Sequence, residues 1–361
     1  MTARESVARV LVAFAVCCLA LPVAPASAHF GNHGELPVSN YRTRILSVSP
    51  QVDGLSLRVI DAGGRLELTW KGQGDLIVTG YEGEPYLRIG EDGVFTNLRS
   101  TATYLNQSRY ATAAPPAMAD NGAEPSWSKV AGGRTARWHD HRSHWMSPQP
   151  PTAVAADPDV EQPVIPAWTI DLDAGGTAVT VRGDVTWVPP PSSLPWYVGA
   201  VVLGAGVLAL LHTRWWRTIA WATVVVLGSA MVASLLLARS AGAGLTFWPV
   251  AARGVVLAAG AALVLTARRR VEYPPAPLLV AGIVGIYFGG WRAAGVLAHS
   301  QLTVSGPHWL IRTLVTTCFA LGTATALRVV VFVLAALVRP EGPQARALGS
   351  GAAGAARQEY R

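Results

Sequence analysis

Residues 55–80 read LSLRVIDAGGRLELTWKGQGDLIVTG, and this stretch decides the fold of the first half of the chain. Three short apolar runs, Leu55 to Ile60, Leu66 to Trp70 and Leu76 to Gly80, are separated by Asp61-Ala62-Gly63-Gly64 and Gly72-Gln73-Gly74-Asp75. Alternating runs of this length between glycine- and aspartate-rich breaks predict half-buried strands joined by tight turns. Outward from them, Ile45 to Val48 precedes and Tyr86 to Ile89 follows, with Gly90 to Gly93 as a further break. Trp168 to Leu172 and Ala178 to Val188, either side of Asp173-Ala174-Gly175-Gly176, make a last β pair before Pro189-Pro190-Pro191. Many short strands at this spacing predict an all-β, sandwich-like domain. Ala111 to Pro125 and Pro148 to Pro166 lack strand periodicity and read as loops.

The second half has a different solvent. With 51% hydrophobic and only 14% charged residues, the chain is too apolar for an ordinary soluble protein. Five apolar stretches, 195–212, 218–238, 249–267, 278–298 and 310–338, each approach the ~20 residues needed to cross a bilayer. Arg214 and Arg217, Arg268-Arg269-Arg270, and Arg339 with Arg346, Arg357 and Arg361 fall on one side of this zigzag, and Arg239 alone on the other. The positive-inside bias therefore puts the C-terminus in the cytoplasm and the β-rich half outside. The N-terminus gives the same topology independently. Arg4 and Arg9 precede an apolar run from Val10 to Val23 and the small residues Ala26-Ser27-Ala28, the pattern of a cleaved signal peptide. The expected organisation is a signal peptide over 1–28, an extracytoplasmic β-rich domain over 29–190, five transmembrane helices within 191–338 and a cytoplasmic disordered tail over 339–361. Cys17 and Cys18 lie in the leader and Cys318 in an apolar stretch, so no disulfide is expected to hold the domain.

Charge excludes some functions. Residues 29–194 carry 13 basic and 18 acidic side chains, and an acidic domain disfavours nucleic acid. Between Asp184 and Glu341 the only carboxylate is Glu272, in a cytoplasmic loop, which leaves no relay for a pump or transporter. Arg253, Arg292 and Arg312 sit near the outer ends of their stretches. They read either as snorkelling to headgroups or as a shared site for an anionic lipid or a carboxylate, and Arg328 lies deeper.

Chemistry concentrates in the histidines. Of eight, His29, His33, His139, His141, His144, His299 and His308 fall outside and only His212 inside. Trp138-His139-Asp140-His141-Arg142-Ser143-His144-Trp145-Met146 is the densest cluster. In an extended segment His139 and His141 would project from one face and share a metal ion, with Asp140 or Met146 as further ligand or orienter. Cleavage after Ala28 would leave His29 first, so that its α-amine and imidazole chelate Cu(II) together. The competing reading makes His29 a mark of the cleavage point, Trp138 to Trp145 a hydrogen-bonded corner with Asp140 paired to Arg142, and His299 and His308 polar loop residues. Catalysis has weaker support. Asp140 and His141 with Ser143 or Ser147 superficially suggest a triad, but no Gly-x-Ser-x-Gly elbow occurs, and Glu82 and Glu84 read as solvated turn residues.

On Tyr41 to Pro50, Gly80 to Arg88, Ala102-Thr103-Tyr104-Leu105-Asn106 and Trp138 to Met146, the chain resembles a family of uncharacterised actinobacterial membrane proteins over nearly its whole length. That resemblance implies no particular activity. His29 after Ala26-Ser27-Ala28, the β-rich domain and the attached helices are also similar to CopC-type copper proteins joined to a CopD membrane domain. The domain here is longer than CopC, and the helices lack a CopD-like histidine pattern. This second resemblance implies a copper-binding β-sandwich whose first mature residue is a ligand. The resulting expectation is a non-enzymatic, membrane-anchored copper-binding protein for storage, delivery or sensing, with lipids, other membrane subunits or copper-handling proteins as partners. The alternative is a structural or interaction module of the cell envelope.

Overall fold

The alternating runs close into antiparallel ladders. The computed structural model describes residues 37–107, 109–240, 254–256, 258, 260 and 275–337. The first strands are β1 (Val38–Ser39), β2 (Tyr41–Ser49), β3 (Leu55–Ile60), β4 (Arg65–Trp70), β5 (Leu76–Thr79), β6 (Pro85–Gly90) and β7 (Gly93–Asn97). After a short helix α1 (Ala102–Leu105) come β8 (Trp127–Ala131), β9 (Thr135–Trp138), a second short helix α2 (Thr152–Ala156), β10 (Gln162–Ala174) and β11 (Thr177–Trp187). One sheet runs β2-β11-β10-β5-β6-β7-β8 and a second runs β3-β4-β9. Leu66, Leu68, Trp70 and Trp138 from the small sheet and Leu76, Val78, Ile89, Ile170 and Val181 from the large one share a single core.

Local chemistry fixes the turns beside this core. A Cβ on Gly72 would lie 2.1 Å from the Trp70 indole, whose Nε1 donates to the Gly74 carbonyl at 2.9 Å, so only glycine lets this turn fold over the buried ring. The β3–β4 connection is strained. Asp61 and Ala62 both adopt left-handed backbone, φ 53° and 52°, before Gly63 at 91°. Each such non-glycine residue costs roughly 1–2 kcal/mol, and the turn delivers the Gly64 carbonyl to the histidine cluster.

Besides the two-residue β1 and β12, three strands were not expected from sequence. β7 begins within the Gly90–Gly93 break, β8 exposes the apolar Val130 and Ala131 and so does not alternate, and β9 is only four residues long. The segment 148–166, read as a loop, contains α2 and the start of β10, whose register shifts around Pro163 and Ile165 hide its period.

The helical half comprises α3 (Leu194–Leu210), α4 (Trp216–Ser240), α5 (Pro275–Val284), α6 (Gly295–Ala298) and α7 (His308–Leu337) among the described residues. Between α5 and α6 the chain is π-helical over Gly285–Gly290 and 3-10 over Trp291–Ala293. Three helical segments, Trp216–Arg239, Pro277–Ala298 and His308–Ala335, are long and apolar enough to cross a membrane. The expected count of five is not supported. α3 has only 17 residues, and of the stretch 249–267 only 254–256, 258 and 260 are described, all helical. α3, α4 and α5 all pack on α7.

The two halves are tied together. β1 pairs antiparallel with β12 (Gln301–Leu302), in the loop before α7. Ser300 donates from backbone and side chain to Asn40 Oδ1, at 2.9 and 3.3 Å, and Thr303 donates to the Pro37 carbonyl. β1 also lies against the strained Asp61–Gly63 turn.

Candidate metal site at the histidine corner

β9 ends at Trp138, and Ser143 N–H donates back to the Asp140 carbonyl at 2.9 Å, so the chain turns where an extended segment was expected. His139 and His141 therefore do not share a strand face. The turn instead brings His144 against both, with ring centroids 6.0 Å from His139 and 5.3 Å from His141.

Asp140 is the hub of the corner. It is wholly buried and accepts from Trp138 Nε1 at 3.0 Å, from Arg142 Nε and Nη2 at 2.8 and 2.9 Å, and from the Arg142 backbone at 3.2 Å. Arg142 goes on to the Gly80 and Thr79 carbonyls. The His141 backbone N–H donates to the Tyr81 hydroxyl, which in turn donates to Asn106. The Asp140–Arg142 pairing of the structural reading is thus present, and it welds the corner to the β5–β6 connection.

The three imidazoles differ. His139 uses both nitrogens, with Nδ1 2.7 Å from the Gly64 carbonyl and Nε2 receiving Arg65 Nε at 3.3 Å. His141 stacks on Tyr81, ring centroids 6.2 Å apart. His144 is 1% exposed; its Nδ1 lies 3.2 Å from the Trp145 carbonyl, and its Nε2 is buried with no hydrogen-bond partner. Because a carbonyl only accepts, Nδ1 carries the proton and Nε2 a bare lone pair. Burial first, then the Arg109 guanidinium, pushes His144 down to about 3. Burial, with Arg65 and Arg109 adding to it, outweighs the Gly64 hydrogen bond and pushes His139 down to about 4. Both rings are neutral at pH 7, the form in which imidazole binds metals.

Two imidazoles bound to one tetrahedral ion hold their ring centres ~5 Å apart, given Zn–N near 2 Å. The His141–His144 separation matches. Among the described residues, however, no three or more His, Cys, Asp or Glu side chains are grouped to hold one ion. An ion here would take two imidazoles from the corner and its other ligands from elsewhere.

No family model, curated protein or solved structure matches the chain.

His29, His33 and Arg253 lie outside the described residues. Met146 is 40% exposed, and Asp140 is committed to Arg142. His299 is remote in role: its Nδ1 is 2.8 Å from the Gly295 carbonyl, closing α6. His308 opens α7 and borders a cavity of about 280 Å³ between the two halves, walled by Thr43, Asp61 and Thr303. Arg312 donates Nε and Nη2 to the Val296 and His299 carbonyls at 3.0 and 2.9 Å. Arg292 lies 5.8 Å over the Phe288 ring, with Nε buried and unpartnered. Arg328 Nε donates to the Leu211 carbonyl at the end of α3.

Sequence reasoning missed Arg109. It lies just before the Ala- and Pro-rich stretch with no motif around it, yet its Nη1 comes within 3.5 Å of where a Gly64 Cβ would stand and its charge lowers the pKa values of His139 and His144.

Proposed function

We propose that this chain is a membrane-anchored, extracytoplasmic metal-binding protein, with copper the favoured ion, used in storage, delivery or sensing. The observation that carries this reading is the buried, proton-free Nε2 of His144 packed against His141 at a separation suited to one shared ion. A buried acceptor without a partner is costly, and a metal is one group that satisfies it. Processing after Ala28 would add His29. Eight Cα steps separate it from Pro37, a reach of about 27 Å when extended. β1 leaves Pro37 beside the turn whose Gly64 holds His139, which supports a chelate of His29, His141 and His144.

In this reading the arginine clusters keep the C-terminus cytoplasmic, and five passes are completed by α3 and the 249–267 stretch. A 17-residue helix spans about 26 Å, short but within the range of crossing helices. Lipids surround the helices, and copper-handling proteins are the natural partners.

Calorimetric titration of the processed full chain in detergent with Cu(II) and Zn(II) tests the proposal. One tight event should appear and should weaken at least tenfold, ~1.4 kcal/mol, in His144→Ala. Equal affinity in the variant removes the corner from the site. A second reading, an interaction module with structural histidines, is favoured by the satisfied Asp140–Arg142–Trp138 network. It predicts no metal binding at all.

A further inference from the structure

The cavity of about 280 Å³ between the two halves is lined from the β-domain by Thr43, Asp61 and Ala62 and from the helical half by Thr303 and His308. That volume holds roughly nine waters at ~30 Å³ each, the scale of a small polar group. Its walls are rich in acceptors. The Thr43 hydroxyl spends its proton on the Ser143 carbonyl at 2.9 Å and the Thr303 hydroxyl on the Pro37 carbonyl at 3.0 Å, so each can only accept from a group placed in the cavity. Asp61 adds a carboxylate. Its side chain is 19% exposed and, among the described residues, receives no hydrogen bond; its ion pair with Arg65 Nε is long, at 3.5 Å, and that same nitrogen also donates to His139. Burial outweighs Arg65 and raises the Asp61 pKa, as in a carboxylate short of partners. The backbone is bent to put it there. Asp61 and Ala62 are both left-handed; aspartate tolerates that conformation, alanine gains nothing from it, and strain of this kind persists where a site needs the geometry.

Charge of the other sign lines the same cavity. Arg42 has its Nη2 held by Glu161 while its Nε is buried without a partner, and His308 stands at the N-terminal, positive end of the 30-residue α7. A plain cation is drawn to Asp61 and repelled by these groups, whereas a molecule with an ammonium at one end and an anion at the other meets both. A bare metal ion is disfavoured, because among the described residues no three His, Cys, Asp or Glu side chains are grouped to hold one. α7 opens a segment, His308–Ala335, long and apolar enough to cross a membrane, which sets the cavity at the level of lipid headgroups. We propose that this cavity binds an aminoethyl phosphate zwitterion, its ammonium donating to Asp61, Thr43 and Thr303 and its phosphate lying toward Arg42 and His308. The three N–H donors of a primary ammonium match these three acceptors in number. The same chemistry occurs as the headgroup of an aminophospholipid and as a free phosphate monoester. This inference does not depend on the metal reading.

The test takes the delipidated full chain in detergent and offers it equal amounts of phosphatidylethanolamine and phosphatidylcholine, read by native mass spectrometry. Only the ethanolamine headgroup carries N–H donors on its nitrogen. Its retention should exceed that of the choline lipid by about tenfold, and the preference should vanish in Asp61→Asn. Asparagine suits left-handed backbone as well as aspartate does, and an unchanged thermal transition in the ligand-free variant shows that it is folded. The comparison of the two headgroups in the unaltered chain needs no variant. Free phosphorylethanolamine against free phosphorylcholine, followed by the rise in thermal transition, is the second arm. A preference seen with the lipids makes a headgroup the occupant, and one seen only with the soluble esters makes it a free monoester. Equal retention or none of the ethanolamine and choline forms in both arms, or a preference that survives in folded Asp61→Asn, overturns the inference.

Discussion

Buried charge is handled differently in the two halves of this molecule. In the β-domain, charge meets charge: Asp140 holds Arg142, and Glu67 lies between Arg58 and Arg137 at 2.5 and 2.6 Å. In the helical half, where carboxylates are scarce, charge meets peptide dipoles: Arg312 donates to the carbonyls ending α6, and Arg328 to the carbonyl ending α3. A helix C-terminus carries partial negative charge and unsatisfied carbonyls, so it substitutes for an acid. Against both patterns, His144 Nε2 is buried with no hydrogen-bond partner at all among the described residues. That exception marks the candidate site.

The comparison breaks first at Asp140. Asp140→Ala leaves the partly buried Arg142 with only the Thr79 and Gly80 carbonyls and Trp138 Nε1 without its acceptor, and should cost about 2–4 kcal/mol, read from thermal unfolding of the full chain. A loss under about 1 kcal/mol would show that the network is dispensable. Arg312→Met keeps the apolar stem and removes the donors, and should destabilise the helical half by about 1–3 kcal/mol in a detergent-unfolding titration. Unchanged stability would mean that the carbonyls find water instead and that the dipole account is wrong.

Acid sharpens the contrast. His139 and His144 have folded pKa values pushed down to about 4 and about 3. The unfolded chain therefore binds more protons between pH ~6.5 and those values. Their contribution to stability is fully present above pH ~6.5 and is lost as pH falls toward 4 and below, with a limiting slope of about 1.4 kcal/mol per pH unit for each group. Melting of the metal-free chain against pH should show this fall, and His144→Leu should flatten it. An identical slope in the variant would place the acid sensitivity elsewhere. The smallest effect concerns Arg292, whose unpartnered Nε suits a phosphate headgroup. Arg292→Ala should lose bound anionic lipid in native mass spectrometry with little change in stability, and full retention would leave Arg292 a snorkelling residue.

Much of the fold was legible because its signals are local. Leu55 to Ile60, Leu66 to Trp70 and Leu76 to Gly80 read as strands and correspond, to within one residue at an end, to β3, β4 and β5. β8 and β9 are set by pairing partners distant in sequence, such as Asn97 with Trp127 and Leu66 with Trp138, and no local pattern announces them. The site was half legible. The histidine cluster stood out, but the Ser143–Asp140 turn reorders it, making His144 the central ring and exchanging Asp140 from ligand to structural hub. Arg109 was invisible because only the fold brings it beside Gly64, and no motif around it announces that approach.

Electron paramagnetic resonance of the Cu(II)-loaded chain tests the metal claim most directly. Bound imidazole nitrogens split the copper signal, and the account predicts a pattern requiring at least two of them that loses one in His144→Ala. A spectrum of hydrated copper, or one identical in the variant, would contradict it.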